Sequence, residues 1–334
     1  MNIVYFVVQQ TMFFSIPLLI VAIGAMFSER SGVINIALEG TMIVGAFSSI
    51  LFINILQTAI RTSEYHTGFL AILQRSPTLL FVCAIFIALA SGIVIALAHA
   101  YASINMKANQ IISGTAINLF APAFAIYAGR MHGPGRTQQV PFVNDFRIES
   151  VYILGDIPVL GPLFFQNTYI TTFLGFAILI GAWVVLYRTK FGLRLRACGE
   201  HPQAADSLGI NVYKMRYAGV CISGALAGLG GLVFVVPTST LFNASVSGYG
   251  FLALAVLIFG QWRPGRILFA AFFFGVLKAV ASSYSGIPPL FALGIPAYIY
   301  RMSPYVATLI VLAFTSQNSQ APRAGGIPYD PGVR

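Results

Sequence analysis

Between Val4 and Phe27 the chain carries no charged side chain, and similar apolar runs return near 33–57, 78–100, 110–128, 168–187, 217–236, 247–260, 267–283 and 304–316. A helix needs about 20 apolar residues to cross a hydrocarbon layer of about 30 Å. In that layer every backbone N–H and C=O must be bonded internally, which leaves helices as the only solution for runs of this length. The predicted fold class is therefore all-α: a polytopic transmembrane helical bundle of about eight to ten spans, occupying residues 1–316 as one domain. The Pro-rich run IPPLFALGIPAYIY at 287–300 is too short for an ordinary span and reads as a broken or re-entrant helix. The first run continues without a small-residue cleavage site and reads as a retained span rather than a removable leader. With 57% hydrophobic and only 8% charged residues, a soluble domain is excluded.

The net charge of +10 is read by its placement. Basic residues collect in the cytoplasmic loops of membrane proteins, and the segment 188–216 holds Arg188, Lys190, Arg194, Arg196, Lys214 and Arg216 against Glu200 and Asp206. That loop is expected in the cytoplasm, and a nucleic-acid partner is not implied. Counting outward puts the loop 129–167 outside, the QWRPGR turn at 261–266 inside, and the tail 317–334 inside. The N-terminus falls outside if every run crosses once. The tail is polar and rich in Gly and Pro, a composition that predicts disorder. Cys83, Cys198 and Cys221 form neither a disulfide framework nor a metal spacing.

An intramembrane hydrolase would need paired catalytic groups, and none is apparent. His66, His99, His132 and His201 are scattered, so no metal site is expected. Ion-coupled carriers place ionisable groups near the midplane, and most of these spans have none. There is no Walker A pattern, so energy for uphill movement would come from a partner. A self-sufficient channel or facilitator is the rival reading from another class, and a membrane enzyme stands further off.

Few polar residues lie within the runs. Asn35 and Glu39 are four apart in SERSGVINIALEG and are therefore expected on one helical face. Gln110 and Asn118 sit with Ser113 in QIISGTAINLF. Asn35, Glu39, Gln110 and Asn118 are the candidate pathway residues; each could equally brace neighbouring helices by hydrogen bonding. Lys278 lies near the end of its run and is expected to snorkel to the interface. Phe242, Tyr249 and Phe251 could stack on a flat solute or belong to an interfacial aromatic belt. In SGALAGLGG, the spacing of Gly224, Gly228 and Gly231 predicts close helix packing.

Within the basic loop, GEHPQAADSLGI (199–210) predicts a short helix of about two turns. Pro202 suits its first position and Gly209 its left-handed end. Ala205 and Leu208 are expected on one face, Gln203 and Asp206 toward another. A helix this short is unstable alone, so it must be docked, either on a soluble partner or on the membrane surface.

This segment resembles the cytoplasmic coupling loop of ABC transporter permeases of the branched-chain amino acid and ribose permease family, whose pattern is similar to G-E-N-P-x-A-A-x-x-x-G-I. Gly199, Glu200, Pro202, Ala204, Ala205, Gly209 and Ile210 carry the likeness. ERSGVINIALEGTMIVGAF (29–47) is similar to the N-terminal signature of the nucleoside and simple-sugar branch, linked to basic membrane protein; NQIISGTAINLF and SPYVATLIVLAF add weaker matches. The resemblance runs from about residue 10 to 316. His201 departs from the Asn more usual there, and imidazole is a poorer N-cap than a short amide, so a weaker start of the coupling helix is expected. The external loop matches no pattern of the family.

The resemblance implies a non-catalytic permease subunit in the bacterial plasma (inner) membrane. Its expected partners are a second homologous permease, a cytoplasmic ABC ATPase, an extracytoplasmic substrate-binding lipoprotein and membrane lipid. It implies no cofactor in this chain, with ATP and Mg held by the ATPase. Glu200, Pro202, Ala205, Asp206, Leu208 and Gly209 would couple to that ATPase. Nucleosides are the expected solute, with simple sugars such as ribose or galactose the alternative.

Overall fold

The computed structural model describes residues 3–62, 69–132, 137–152, 154–315 and 320–331. In chain order its helices are α1 (Ile3–Arg30), α2 (Leu38–Thr62), α3 (Phe69–Arg75), α4 (Pro77–Ala100), α5 (Gln110–His132), α6 (Ile170–Arg188), α7 (Lys190–Glu200), α8 (Pro202–Ser207), α9 (Val212–Thr238), α10 (Tyr249–Phe259), α11 (Pro264–Ser283), α12 (Pro288–Phe291) and α13 (Ala297–Thr315). Among the described residues seven helices are long and apolar enough to cross a membrane: α1, α2, α4, α5, α6, α9 and α11. α13 adds 19 residues. α10, with 11 residues, spans about 16 Å at 1.5 Å per residue, half of a bilayer core.

α1 is apolar on every side, which suits a helix with no solvent- or lipid-facing stripe. It forms the centre of the bundle, and Leu18–Ile23 are wholly buried. α9, α11, α10 and α6 surround it. α9 is the second hub, and its glycines explain why. A Cβ on Gly224 would run into Gly92 of α4, and one on Gly231 into the backbone of Met42 in α2. Gly228 touches both Gly92 and Gly45. Contact at backbone distance maximises dispersion between helices that gain no hydrophobic energy from meeting in lipid. The outer faces expose Phe86, Ile112, Leu119, Ile180, Phe269 and Leu309, an apolar belt suited to lipid.

The bundle has a basic end, carrying α7 and α8, and an opposite end. α1 begins at the opposite end, where Gln9 donates to the carbonyl of Pro162 at 2.8 Å, and finishes at the basic end, where Arg30 lies 3.5 Å from Glu200. The loop 129–167 forms short strands rather than coil: β1 (Val140–Pro141) pairs with β4 (Leu241–Phe242), and β2 (Arg147–Ser150) with β3 (Gln166–Tyr169). Residues 133–136 and 153 of that loop lie outside the described residues. The 287–300 run is broken as expected, with α12 and a turn before α13.

Two expectations change. The run 33–57 is not one helix: residues 33–36 are not helical, and α2 begins only at Leu38. Asn35 therefore precedes the helix and shares no helical face with Glu39. The tail expected to be disordered instead lies against the basic end over residues 320–331. Ala324 N–H donates to Gly199 O at 2.9 Å, Arg216 donates to Ile327 O at 3.0 Å, and Lys107 pairs with Asp330 at 2.8 Å. Tyr329 packs with Cys198, Ala205 and Val212. Local composition predicts coil, but it does not register long-range anchors of this kind. Residues 316–319 and 332–334 lie outside the described residues.

Candidate functional site

The unwound stretch between α1 and α2 lies inside the bundle, where each exposed backbone group would cost several kcal/mol. Side chains meet those groups one by one. Ser28 Oγ donates to Val33 O at 2.7 Å, and Gln110 Oε1 accepts Ile34 N–H at 2.7 Å. His99 Nε2 lies 3.1 Å from Ile34 O, and Asn118 Nδ2 donates to Ile36 O at 2.9 Å. Asn118 Oδ1 accepts Gly40 N–H at 2.8 Å, so both arms of this amide are spent on backbone. Asn35 accepts Ala37 N–H through Oδ1 and donates to Ser223 Oγ at 2.9 Å, tying the break to α9.

Glu39, in the first turn of α2, reaches a second helix start. Its Oε1 accepts Gly248 N–H at 2.9 Å and its Oε2 accepts Gly250 N–H at 2.7 Å. These are orphan N–H groups of α10, whose N-terminus carries positive partial charge. The carboxylate thus caps the beginning of α10 while itself standing in the first turn of α2. The four polar residues singled out in the sequence come together as one brace, with His99 and Ser28 as members the sequence reading did not select. A histidine within an apolar run was the available signal.

Above this brace a cavity of about 620 Å³ faces the opposite end. That size falls in the range of small-molecule sites. Phe14, Phe234, Phe242 and Tyr249 supply aromatic walls, and Gln10, Asn243, Ser245 and Ser247 supply polar groups. Among the described residues the charged ones lining it are Lys278 and Arg301, and no carboxylate does. None of Asn35, Glu39, Gln110 or Asn118 lines it either. Lys278 does not snorkel away: its Nζ lies 5.4 Å from the ring centre of Tyr249 and 5.0 Å from that of Tyr305. Residues 239–249 line the cavity together with α1, α9, α11 and α13, and a linear reading of α11 cannot register its presence. Of the three aromatic candidates, Tyr249 and Phe242 line the cavity, while Phe251 faces outward and is exposed.

At the basic end the predicted short helix is present as α8, with Pro202 in its first turn and Gly209 at φ +75°. His201 occupies the N-cap without a side-chain cap bond. Ala205 and Leu208 do not share a face. Ala205 is buried beneath Tyr329, whereas Leu208, at the C-cap where the helix ends, is 80% exposed. Asp206 and Gly209 are also exposed. Glu200 faces Arg30, and Arg30 donates to Trp262 O at 3.2 Å. Trp262 in turn donates its indole N–H to Glu29 at 2.6 Å. The end of α1 therefore clasps both α7 and the turn between α10 and α11. Burial raises the Cys198 thiol beneath α8 to a pKa of about 11.

A bundle of apolar spans, a helix broken at depth and braced by side chains, and a partly polar cavity define a polytopic membrane permease. The chain belongs to the family described as branched-chain amino acid transport system / permease component, whose model matches residues 7–313. It is 41% identical over 98% of its length, and 97% of the relative's, to the guanosine ABC transporter permease protein NupQ of Bacillus subtilis. It is 39% identical to the nucleoside ABC transporter permease protein NupC of Lactococcus lactis, with 98% of each chain covered. The putative glucose ABC transporter permease protein TsgC13 of Haloferax volcanii is 30% identical, over 92% of this chain and 90% of the relative. No solved structure matches.

Proposed function

We propose that this chain is the translocating permease subunit of an ABC importer for nucleosides. Likeness over nearly the whole chain to two relatives named for guanosine and nucleosides carries the substrate assignment. The cavity supports it in kind, since aromatic walls suit a base and the serines and amides suit a ribose. A binding lipoprotein delivers the solute to the opposite end, which the charge pattern assigns to the outside. A second, homologous permease completes the pathway. An ABC ATPase, holding ATP and Mg, docks on the exposed edge of α8 formed by Asp206, Leu208 and Gly209. Pro202 and Ala205 seat that helix, and Glu200 joins it to Arg30.

On this reading ATP binding closes the ATPase and displaces α7–α8. The Arg30 clasp carries the displacement to the turn at Trp262 and so to α10. Asn35, Gln110 and Asn118 keep the break intact while α10 tilts about its start, which Glu39 holds to α2. The permease is the two-state element, and the ATPase supplies the differential binding energy that shifts it.

Deleting the chain should abolish high-affinity uptake of labelled guanosine in its host, and re-expression should restore it. Excess unlabelled inosine should compete and excess glucose should not. Competition by glucose or ribose alone would replace the nucleoside assignment with the simple-sugar one, which the relative named for glucose favours.

A further inference from the structure

Resting on the nucleoside reading, we propose that Lys278 reads the base. It donates hydrogen bonds to the acceptor edge of a 6-oxopurine, the carbonyl O6 and ring N7, and thereby favours guanosine and inosine over adenosine. Three observations place it there. First, Lys278 lines the cavity together with Tyr249 and Tyr305, and its ammonium is held over both rings, 5.4 and 5.0 Å from their centres. Two aromatic faces hold a cation in place without neutralising it.

Second, the protein offers this ammonium little to bond. The contact to Tyr305 Oη is long, at 3.4 Å, and among the described residues no carboxylate lines the cavity. Glu39, on the neighbouring brace, is occupied by the N–H groups of Gly248 and Gly250. An ammonium has three donors and no acceptor, so a bound solute is met by donors in search of acceptors. Third, Tyr249 keeps its hydroxyl buried without a hydrogen-bond partner among the described residues. Its ring lies against Phe234, with centroids 4.0 Å apart, so the two rings form a closed aromatic wall that fixes Lys278 at the edge of the cavity.

Guanine presents two adjacent acceptors, N7 and O6, whereas adenine presents N7 beside an amino donor. A donor-only group on that edge is satisfied by the first and opposed by the second. Discrimination of this type amounts to about tenfold to a hundredfold.

The test uses the complete importer, with initial uptake of labelled guanosine, inosine and adenosine measured at concentrations that saturate delivery. Wild type should favour guanosine and inosine, and 7-deazaguanosine should compete less well than guanosine. Lys278→Met should lower guanosine and inosine uptake at least tenfold while leaving adenosine little changed, and Lys278→Arg should keep the preference. Equal loss for all three nucleosides in Lys278→Met overturns the inference. So does equal competition by guanosine and 7-deazaguanosine in wild type, a comparison that needs no variant to fold. Stronger competition by guanosine monophosphate than by guanosine would also overturn it, assigning Lys278 and Arg301 to an anion. Absence of any nucleoside uptake in wild type is a separate result and refutes the substrate reading itself.

Discussion

Glu39 holds the start of α10 with both carboxylate oxygens, at 2.9 and 2.7 Å from the N–H groups of Gly248 and Gly250. Hydrogen bonds to a charged group contribute about 1.5–3 kcal/mol each. A carboxylate at a helix N-terminus adds about 0.3–1 kcal/mol, and up to about 2 where partly buried. Glu39→Gln keeps one acceptor but turns an amide donor toward the other N–H, and should weaken the seat of α10 by about 2–4 kcal/mol. Glu39→Ala strands both N–H groups away from water and should cost about 3–6 kcal/mol. The cost falls on the seating of one short helix, so insertion should survive. Ala253, wholly buried on α10, is the reporter. In a chain whose three native cysteines are replaced, Ala253→Cys should be protected from thiol reagents. Glu39→Gln should raise its labelling rate by roughly 30- to 700-fold, at 1.4 kcal/mol per decade, and uptake should fall in parallel. Unchanged protection and normal uptake in both Glu39 variants would refute the claim that this carboxylate seats α10.

The basic end gives further expectations. Leu208→Glu, on an exposed position, should leave the subunit inserted while uptake falls at least tenfold; Ala205→Glu should also reduce the amount of folded protein, because it buries a charge beneath Tyr329. Comparing membrane levels with uptake separates the two. With its pKa near 11, about one Cys198 thiol in a thousand is ionised at pH 8, against roughly one in four for a free thiol. Tyr329→Ala removes the ring above it, at about 3 kcal/mol, and should make Cys198 react with maleimide at pH 8 where wild type does not. Equal reactivity in the two would mean that the tail does not cover α8.

The spans were legible because runs of uncharged apolar residues allow no other backbone. The glycines of α9 were legible as a packing stripe for a related reason: their spacing only makes sense on a helix. The break after Arg30 was not, since VINIA is as apolar as a helix interior, and its signal, Gly32 beside a lone Asn35, is slight. The polar residues of the site were found, but their role depends on what they face. Asn118 could be read as a solute contact or a brace until its partners, Gly40 and Ile36, were known. Lys278 was assigned to the interface because hydropathy along α11 carries no record of the cavity beside it. Tail composition predicted disorder, whereas the contacts of Arg216, Lys107 and Gly199 hold residues 320–331 in place.

Energy coupling is most directly tested by nucleoside uptake into proteoliposomes holding this chain alone or together with its second permease, ATPase and binding protein. The permease reading predicts accumulation above equilibrium with the full set and ATP, its loss on Leu208→Glu, and negligible flux through the chain alone. Rapid downhill flux of guanosine through the isolated chain, indifferent to ATPase and ATP, would contradict it and establish a facilitator instead.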